Sequence, residues 1–236
     1  MTDAYEARYV IVAGILWLRC TTGAPAGETK LWAATFDGDA RMRTTAIAAE
    51  RFGDVPLEGE VDGLDWELKI EQLAPPFRSP HALLRRLTPA GLETWPALRV
   101  SGRIGDRVFD RVPGHRARVW GKRHAQSWGW AHGSTAEGRW AHLLSAKVAG
   151  LPRLSQHATE QGGPGFPMAR AELGATGFRV GRYVVDAPAS SFLRVQYHDP
   201  DGSPVTCLHS EQGRLRGPGV ELRDVAVELG VAGEVA

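Results

Sequence analysis

The chain is short of lysine, of cysteine and of long apolar runs. Lys30, Lys69, Lys122 and Lys147 are its only lysines, and arginine supplies the rest of the positive charge. The 28 Lys and Arg stand against 27 Asp and Glu, a net charge of +1. Charge therefore indicates neither a nucleic-acid partner nor a polybasic membrane contact. Cys20 and Cys207 are too few for a disulfide framework, and no C-x-x-C pair of the zinc type occurs. They read as ordinary apolar residues. The apolar run from Tyr9 to Leu18 falls short of the roughly 20 residues of a transmembrane helix. A secretory leader wants a basic start, and here Asp3 and Glu6 come first. Arg19 directly before Cys20 argues against a lipoprotein cleavage box. The run reads as a buried strand and the protein as cytoplasmic, with no transmembrane segment. A G-x-S-x-G elbow is missing, which excludes an α/β-hydrolase site. The glycines at 162, 163 and 165 do not lead from a strand into a helix, so no phosphate loop is expected.

What is present is strand signal. A length of 236 residues fits one large all-β domain or two small ones. The clearest alternation runs from Leu64 to Glu71. Leu64, Trp66, Leu68 and Ile70 point one way, and Asp65, Glu67, Lys69 and Glu71 the other. Turn chemistry punctuates such segments at Asp37-Gly38, Asp62-Gly63, Gly105-Asp106, Gly138, Gly174 to Gly177 and Asp199 to Gly202. One short helix is expected over 81–87, after Ser79-Pro80 and before Thr88-Pro89. The Pro/Gly-rich stretch 161–167 is a candidate linker or a loop over a barrel mouth. Antiparallel strands without crossover helices must remove their edges, by closing into a barrel or by pairing two curved sheets. The fold class is therefore all-β, a barrel or sandwich.

Chemistry concentrates in one segment. Residues 119–133 hold three of the eight tryptophans and two of the eight histidines. Alternation puts Trp128, Trp130 and His132 on one strand face, and Ser127, Gly129 and Ala131 on the other. A turn near 133–138 then returns Trp140, His142 and Leu144 on one face. If that hairpin closes, the two aromatic faces are cross-strand neighbours and form a wall studded with imidazoles. Upstream, Arg116, Arg118 and Trp120 alternate together. Each Trp alone reads more often as core, and His124, after Lys122-Arg123, also reads as a solvated turn. The clustering is what points to a ligand. Trp faces suit a flat apolar ligand and stabilise cations, and histidine moves protons near neutral pH. The eight- and ten-residue gaps between His124, His132 and His142 are not those of a zinc site, so no metal is expected. Arg194, Gln196 and His198 share a face that is either solvated or the polar end of a cavity.

The pattern Trp120-Gly121-x-Arg123-His124-Ala125-x-x-Trp128-x-Trp130-Ala131-His132 resembles a signature of the lipocalin-like superfamily of AttH-type proteins, carotenoid hydratases and tocopherol cyclases. Gly59 to Leu68, followed by Ala74-Pro75-Pro76-Phe77, resembles that superfamily's first-domain strand and proline-rich loop. The resemblance covers roughly residues 55–150. It implies two lipocalin-like barrels or half-barrels packed together, drawn here as 1–118 and 119–236. It also implies an apolar isoprenoid, polyene or polyketide ligand, no cofactor, and acid chemistry on carbon–carbon double bonds. Carotenoid hydratases imply a carboxylic acid near the W-x-W strand. Between Val119 and Gly150 the only carboxylate is Glu137, in a turn. The acid role then passes to His132, His142 or a distant carboxylate such as Asp199.

The expected protein is a cofactor-free cyclase, isomerase or hydratase of secondary metabolism. Trp120, Trp128, Trp130 and Trp140 are its ligand wall in a barrel cavity. His132, His142 and His124 are the candidate proton carriers, and Arg118 or Arg123 holds a polar substrate end. The rival is a non-catalytic carrier of a lipophilic metabolite, with the same wall and no acid–base groups.

Overall fold

The alternating segments pair into two antiparallel sheets in a computed structural model, which describes residues 5–23, 29–36, 41–79, 90–161, 170–199 and 201–233. The first sheet contains β1 (Tyr5–Val12), β2 (Leu16–Thr22), β3 (Thr29–Thr35), β4 (Arg41–Ile47), β5 (Glu58–Val61), β6 (Leu64–Gln72), β7 (Phe77–Ser79), β8 (Ala90–Ile104) and β9 (Arg107–Gly121). Its order is β4-β3-β2-β1-β9-β8-β6-β5, with β7 also on β8. The second contains β10 (Ser127–Ser134), β11 (Trp140–Lys147), β12 (Leu154–Thr159), β13 (Ala171–Leu173), β14 (Gly177–Val180), β15 (Tyr183–Asp186), β16 (Leu193–His198), β17 (Pro204–Gly217) and β18 (Val220–Ala232). Its order is β12-β11-β10-β18-β17-β15-β14-β13, with β16 also on β17. Both sheets curl into nearly closed, barrel-like forms. The first sheet's last strand ends at Gly121 and the second sheet's first strand begins at Ser127.

The alternation of β6 is realised. Trp66 and Leu68 are buried inside the first barrel, while Glu67, Lys69 and Glu71 face water. The Trp66 indole donates to the Pro56 carbonyl at 3.0 Å. The expected turns at Asp62-Gly63 and Gly105-Asp106 join β5 to β6 and β8 to β9. The run from Tyr9 to Leu18 differs from expectation: it is the hairpin of β1 and β2, not one strand. Gly14 breaks it, with φ +68, a backbone shape that residues bearing a Cβ rarely adopt. The expected helix over 81–87, the turn at Asp37-Gly38 and most of the stretch 161–167 lie outside the described residues.

The sheets press together along one seam. Val10, Val12, Leu16, Leu18, Leu31 and Ala33 fill the first barrel. The residues between them, Ile11, Trp17, Trp32 and Ala34, pack against Val195, Cys207 and Ala226 of the second sheet. Ala131, Leu143, Phe178, Leu215 and Val225 fill the second barrel. Strands at the seam are thus apolar on both faces, which is why β2 is buried from Leu16 through Cys20.

Trp66 anchors the first barrel at 0% exposure. Trp66→Ala is expected to lower unfolding free energy by about 3–5 kcal/mol, read from urea denaturation. A loss under about 1 kcal/mol would mean that this core collapses around the cavity.

Candidate functional site

The W-G segment ends β9, and the connection 122–126 carries the chain across the seam into β10. His124 lies in that connection. Its backbone N–H donates to Asp199 Oδ2 at 3.0 Å, and its ring Nδ1 lies 2.5 Å from Asp199 Oδ1. A carboxylate accepts, so Nδ1 carries the proton and Nε2 is left facing the other way. There it meets Tyr197 Oη at 3.1 Å. Tyr5 and Trp128 stack on the imidazole, with centroids 4.6 and 5.1 Å away. Asp199, at 2% exposure, follows β16 and is held by the turn that leads to β17. The result is a carboxylate–imidazole–phenol relay with its ring locked from both sides.

The relay borders a cavity of about 200 Å³ at the open end of the seam. Tyr5, Arg19, Trp32, His124, Tyr197 and Asp199 are among its lining. Burial pushes the Tyr197 phenol well above its ordinary range, although the Arg19 charge pulls the other way. Tyr197 therefore stays protonated at neutral pH. Burial raises Tyr5 in the same way. Trp128 reaches this site because Gly230, opposite it on β18, has no side chain; a Cβ there would overlap the indole.

The predicted Trp/His wall lies deeper in the seam. His132 and His142 face each other directly across β10 and β11, with ring centroids 5.7 Å apart. Trp130, Trp140, Phe77 and His115 surround them. These side chains stand on the outer face of the second barrel, against the first sheet. The barrel interior takes Ala131, Ala141 and Leu143 instead. The expected cavity within a barrel is thus replaced by a wall between two barrels. His132 and His142 are both 0% exposed. Burial drives His132 down to about 4, against a hydrogen bond of 2.7 Å from Nε2 to the Pro96 carbonyl. Burial also holds His115 and His142 well below the ordinary imidazole value.

Of the other expected residues, Arg118 and Trp120 sit on the opposite face of β9. Arg118 pairs there with Glu6 at 2.8 Å and lies over the Trp120 ring. Arg123 is exposed. None of the three lines the seam cavity. Arg194, Gln196 and His198 form an exposed strand face, and Gln196 and His198 also line the cavity. Tyr197 and Asp199, on the alternate face of that same segment, are the ones that reach His124.

Sequence reasoning also missed a buried charged cluster beside the relay. Glu228 on β18 lies opposite Trp130 and accepts a hydrogen bond from the Trp128 indole at 2.8 Å. A carboxylate therefore does stand by the W-x-W strand, supplied by the neighbouring strand. Burial opposes its ionisation, but His209, Arg19 and the Trp128 N–H outweigh it and hold Glu228 at about 2. His209 lies 2.6 Å from Glu211 and 3.8 Å from Glu228. Burial alone would lower its pKa; the two carboxylates raise it to about 9.

No protein-family model matches the chain. Two uncharacterized proteins of Mycobacterium tuberculosis, from strains CDC 1551 / Oshkosh and H37Rv, are 26% identical to it over 91% of this chain and 76% of theirs. Among solved structures, a candidate AttH protein (NE1406) from Nitrosomonas europaea matches with TM-score 0.58 and 13% identity, over 99% of this chain and 93% of that one. Kievitone hydratase from Nectria haematococca matches with TM-score 0.58 and 8% identity, over 98% and 89%. At such identities the likeness is one of fold: the lipocalin-like double barrel implied by the sequence resemblance.

The seam sets the pH dependence of stability. His132 has a folded pKa of about 4 against about 6.5 unfolded, so its neutral form favours the fold fully above pH 6.5. That contribution, on the order of 3 kcal/mol, is lost as pH falls through 4. His209, raised to about 9, favours the fold fully below pH 6.5 and loses that contribution as pH rises through 9. Urea midpoints are expected to peak near pH 6.5 and fall on both sides. His132→Gln should flatten the acid limb between pH 6.5 and 4. An unchanged limb would assign it to other groups.

Proposed function

We propose that the chain is a small-molecule enzyme that performs cofactor-free acid–base chemistry on an unsaturated substrate in the seam cavity. Hydration, isomerisation and cyclisation all need a group that delivers a proton to carbon and a group that collects one. The Asp199–His124–Tyr197 relay supports this reading more than any other feature. In hydration, with His124 doubly protonated against Asp199, Nε2–H donates to Tyr197 Oη and frees the Tyr197 O–H to give its proton to one alkene carbon, the π electrons forming the new C–H bond as the Nε2 proton passes to Oη. Water then adds to the cationic carbon, and its proton returns through Tyr197 to His124 Nε2. Asp199 stabilises His124 when the imidazole is charged, so the relay runs in either direction. The fold shared with kievitone hydratase, a protein whose name records hydration, fits this chemistry.

The cavity narrows the substrate. Its volume of about 200 Å³ falls below the range of about 300–1,000 Å³ for drug-sized ligands. A ring-sized isoprenoid or polyketide fragment, or one end of a larger molecule, fits better than a long polyene. The near-neutral charge supports a small molecule over nucleic acid as partner. Among the described residues no helix is long and apolar enough to cross a membrane. Both cysteines are free and buried, which fits a reducing cytoplasm.

Proton transfer to carbon is measurable without knowing the natural product. Small enones and alkenyl phenols incubated with the protein in D₂O should gain deuterium at carbon, detected by mass spectrometry. Tyr197→Phe should slow that exchange by about 100-fold or more, and His124→Ala similarly. Binding with no exchange by the wild type would favour the carrier reading. Exchange undiminished in both variants would remove the relay from the chemistry.

A further inference from the structure

Arg19 is the least explained residue of the seam. It occupies the middle of β2, between Leu18 and Cys20, which point into the first barrel. Its own side chain goes the other way, into the seam, and is 5% exposed. Four aromatic rings surround the guanidinium: Tyr197 at 5.0 Å, Tyr9 at 5.3 Å, and Trp17 and Trp32 at 5.9 Å. Its Nε has no hydrogen-bond partner, and among the described residues no carboxylate lies within ion-pairing distance. Cation–π contacts offset part of the lost hydration, but they satisfy no N–H.

The nearby acids are already engaged. Both Asp199 oxygens are taken by His124, and Glu228 is held by Trp128 with His209 beside it. Yet Arg19 lines the cavity, with Lys30 also on its wall. A buried guanidinium that lines a cavity and carries an unpartnered N–H is matched by a planar oxyanion, to which a guanidinium can bond through two parallel N–H groups. Trp32 and Tyr197, which also line the cavity, favour a flat molecule.

We propose that Arg19 is the substrate-binding residue of the seam cavity and that the ligand is a small planar compound bearing a conjugated oxyanion, a carboxylate, phenolate or enolate. This rests on the reading of the cavity as a substrate site. It replaces the apolar hydrocarbon implied by family resemblance with an anion held beside the Tyr197 hydroxyl. It also reassigns the polar-end role from Arg118 and Arg123 to Arg19.

The test compares two probes of one shape, cinnamate and cinnamamide, by calorimetry and tryptophan quenching on the full chain at pH 7. Cinnamate should bind the wild type at least about tenfold more tightly than the amide, the usual scale of a hydrogen bond to a charged group. Arg19→Gln should erase that preference while leaving amide binding in place. Equal affinity for the two probes in the wild type would overturn the anion inference and leave the cavity reading standing. A preference retained in Arg19→Gln would overturn the assignment to Arg19. Failure of both probes to bind at millimolar concentration would overturn the inference together with the cavity reading. Should Arg19→Gln not fold, the wild-type comparison and Arg19→Lys decide: Lys keeps the charge but not the fork, so undiminished preference would overturn bidentate recognition.

Discussion

Two sheets share one seam, and the strands that line it are buried on both faces. That constraint governs every polar residue at the candidate site. On an ordinary half-exposed strand Arg19 would face water. On β2 it faces another sheet, and so do Trp17 and Trp32. Any polar group placed there must find its partners inside the protein or in a ligand, because an unmatched buried charge is far more destabilising than an unmatched exposed one.

The seam answers this demand in two ways. Between two buried carboxylates histidine is charged: His209 stands between Glu211 and Glu228 and is raised to about 9. Where only a carbonyl is near, histidine is neutral: His132 on Pro96 falls to about 4. The same side chain thus has opposite states in one interface, decided by its neighbours. His124 is the case that reaches the cavity. It is fixed by Asp199 on one nitrogen and left to Tyr197 on the other. Buried ion pairs rarely stabilise a fold more than apolar residues of the same volume would.

Much of this was readable from residue order. The Leu64 to Glu71 alternation identified a half-buried strand. The spacing of Trp130-x-His132 and Trp140-x-His142 identified two faces that meet across a hairpin. The W-G segment led to His124. The misreadings have a common origin. Tyr9 to Leu18 looked like one strand because hydrophobicity alone does not mark the reversal at Gly14. Arg118 and Trp120 were grouped with the wall, although β9 turns them to the opposite face. The Arg194 to Asp199 segment was noticed for its polar face and for Asp199 as a distant acid, while Tyr197, which alternates with that face and meets His124, was not singled out.

Residue order determined the local facts: which segments are strands, which residues share a face, and where turns fall. These follow from the two-residue repeat of the extended chain, a property of neighbours in sequence. Only the tertiary structure decided which face meets which. A strand buried on both sides carries no hydrophobic mark to distinguish barrel interior from seam. The decisive pairs are also distant in sequence: Asp199 with His124, Glu228 with Trp128, and Arg19 with Tyr197. Arg19 meets Tyr197 through the packing of one sheet on the other, and Glu228 meets Trp128 through the pairing of β10 with β18, neither of which a local pattern encodes.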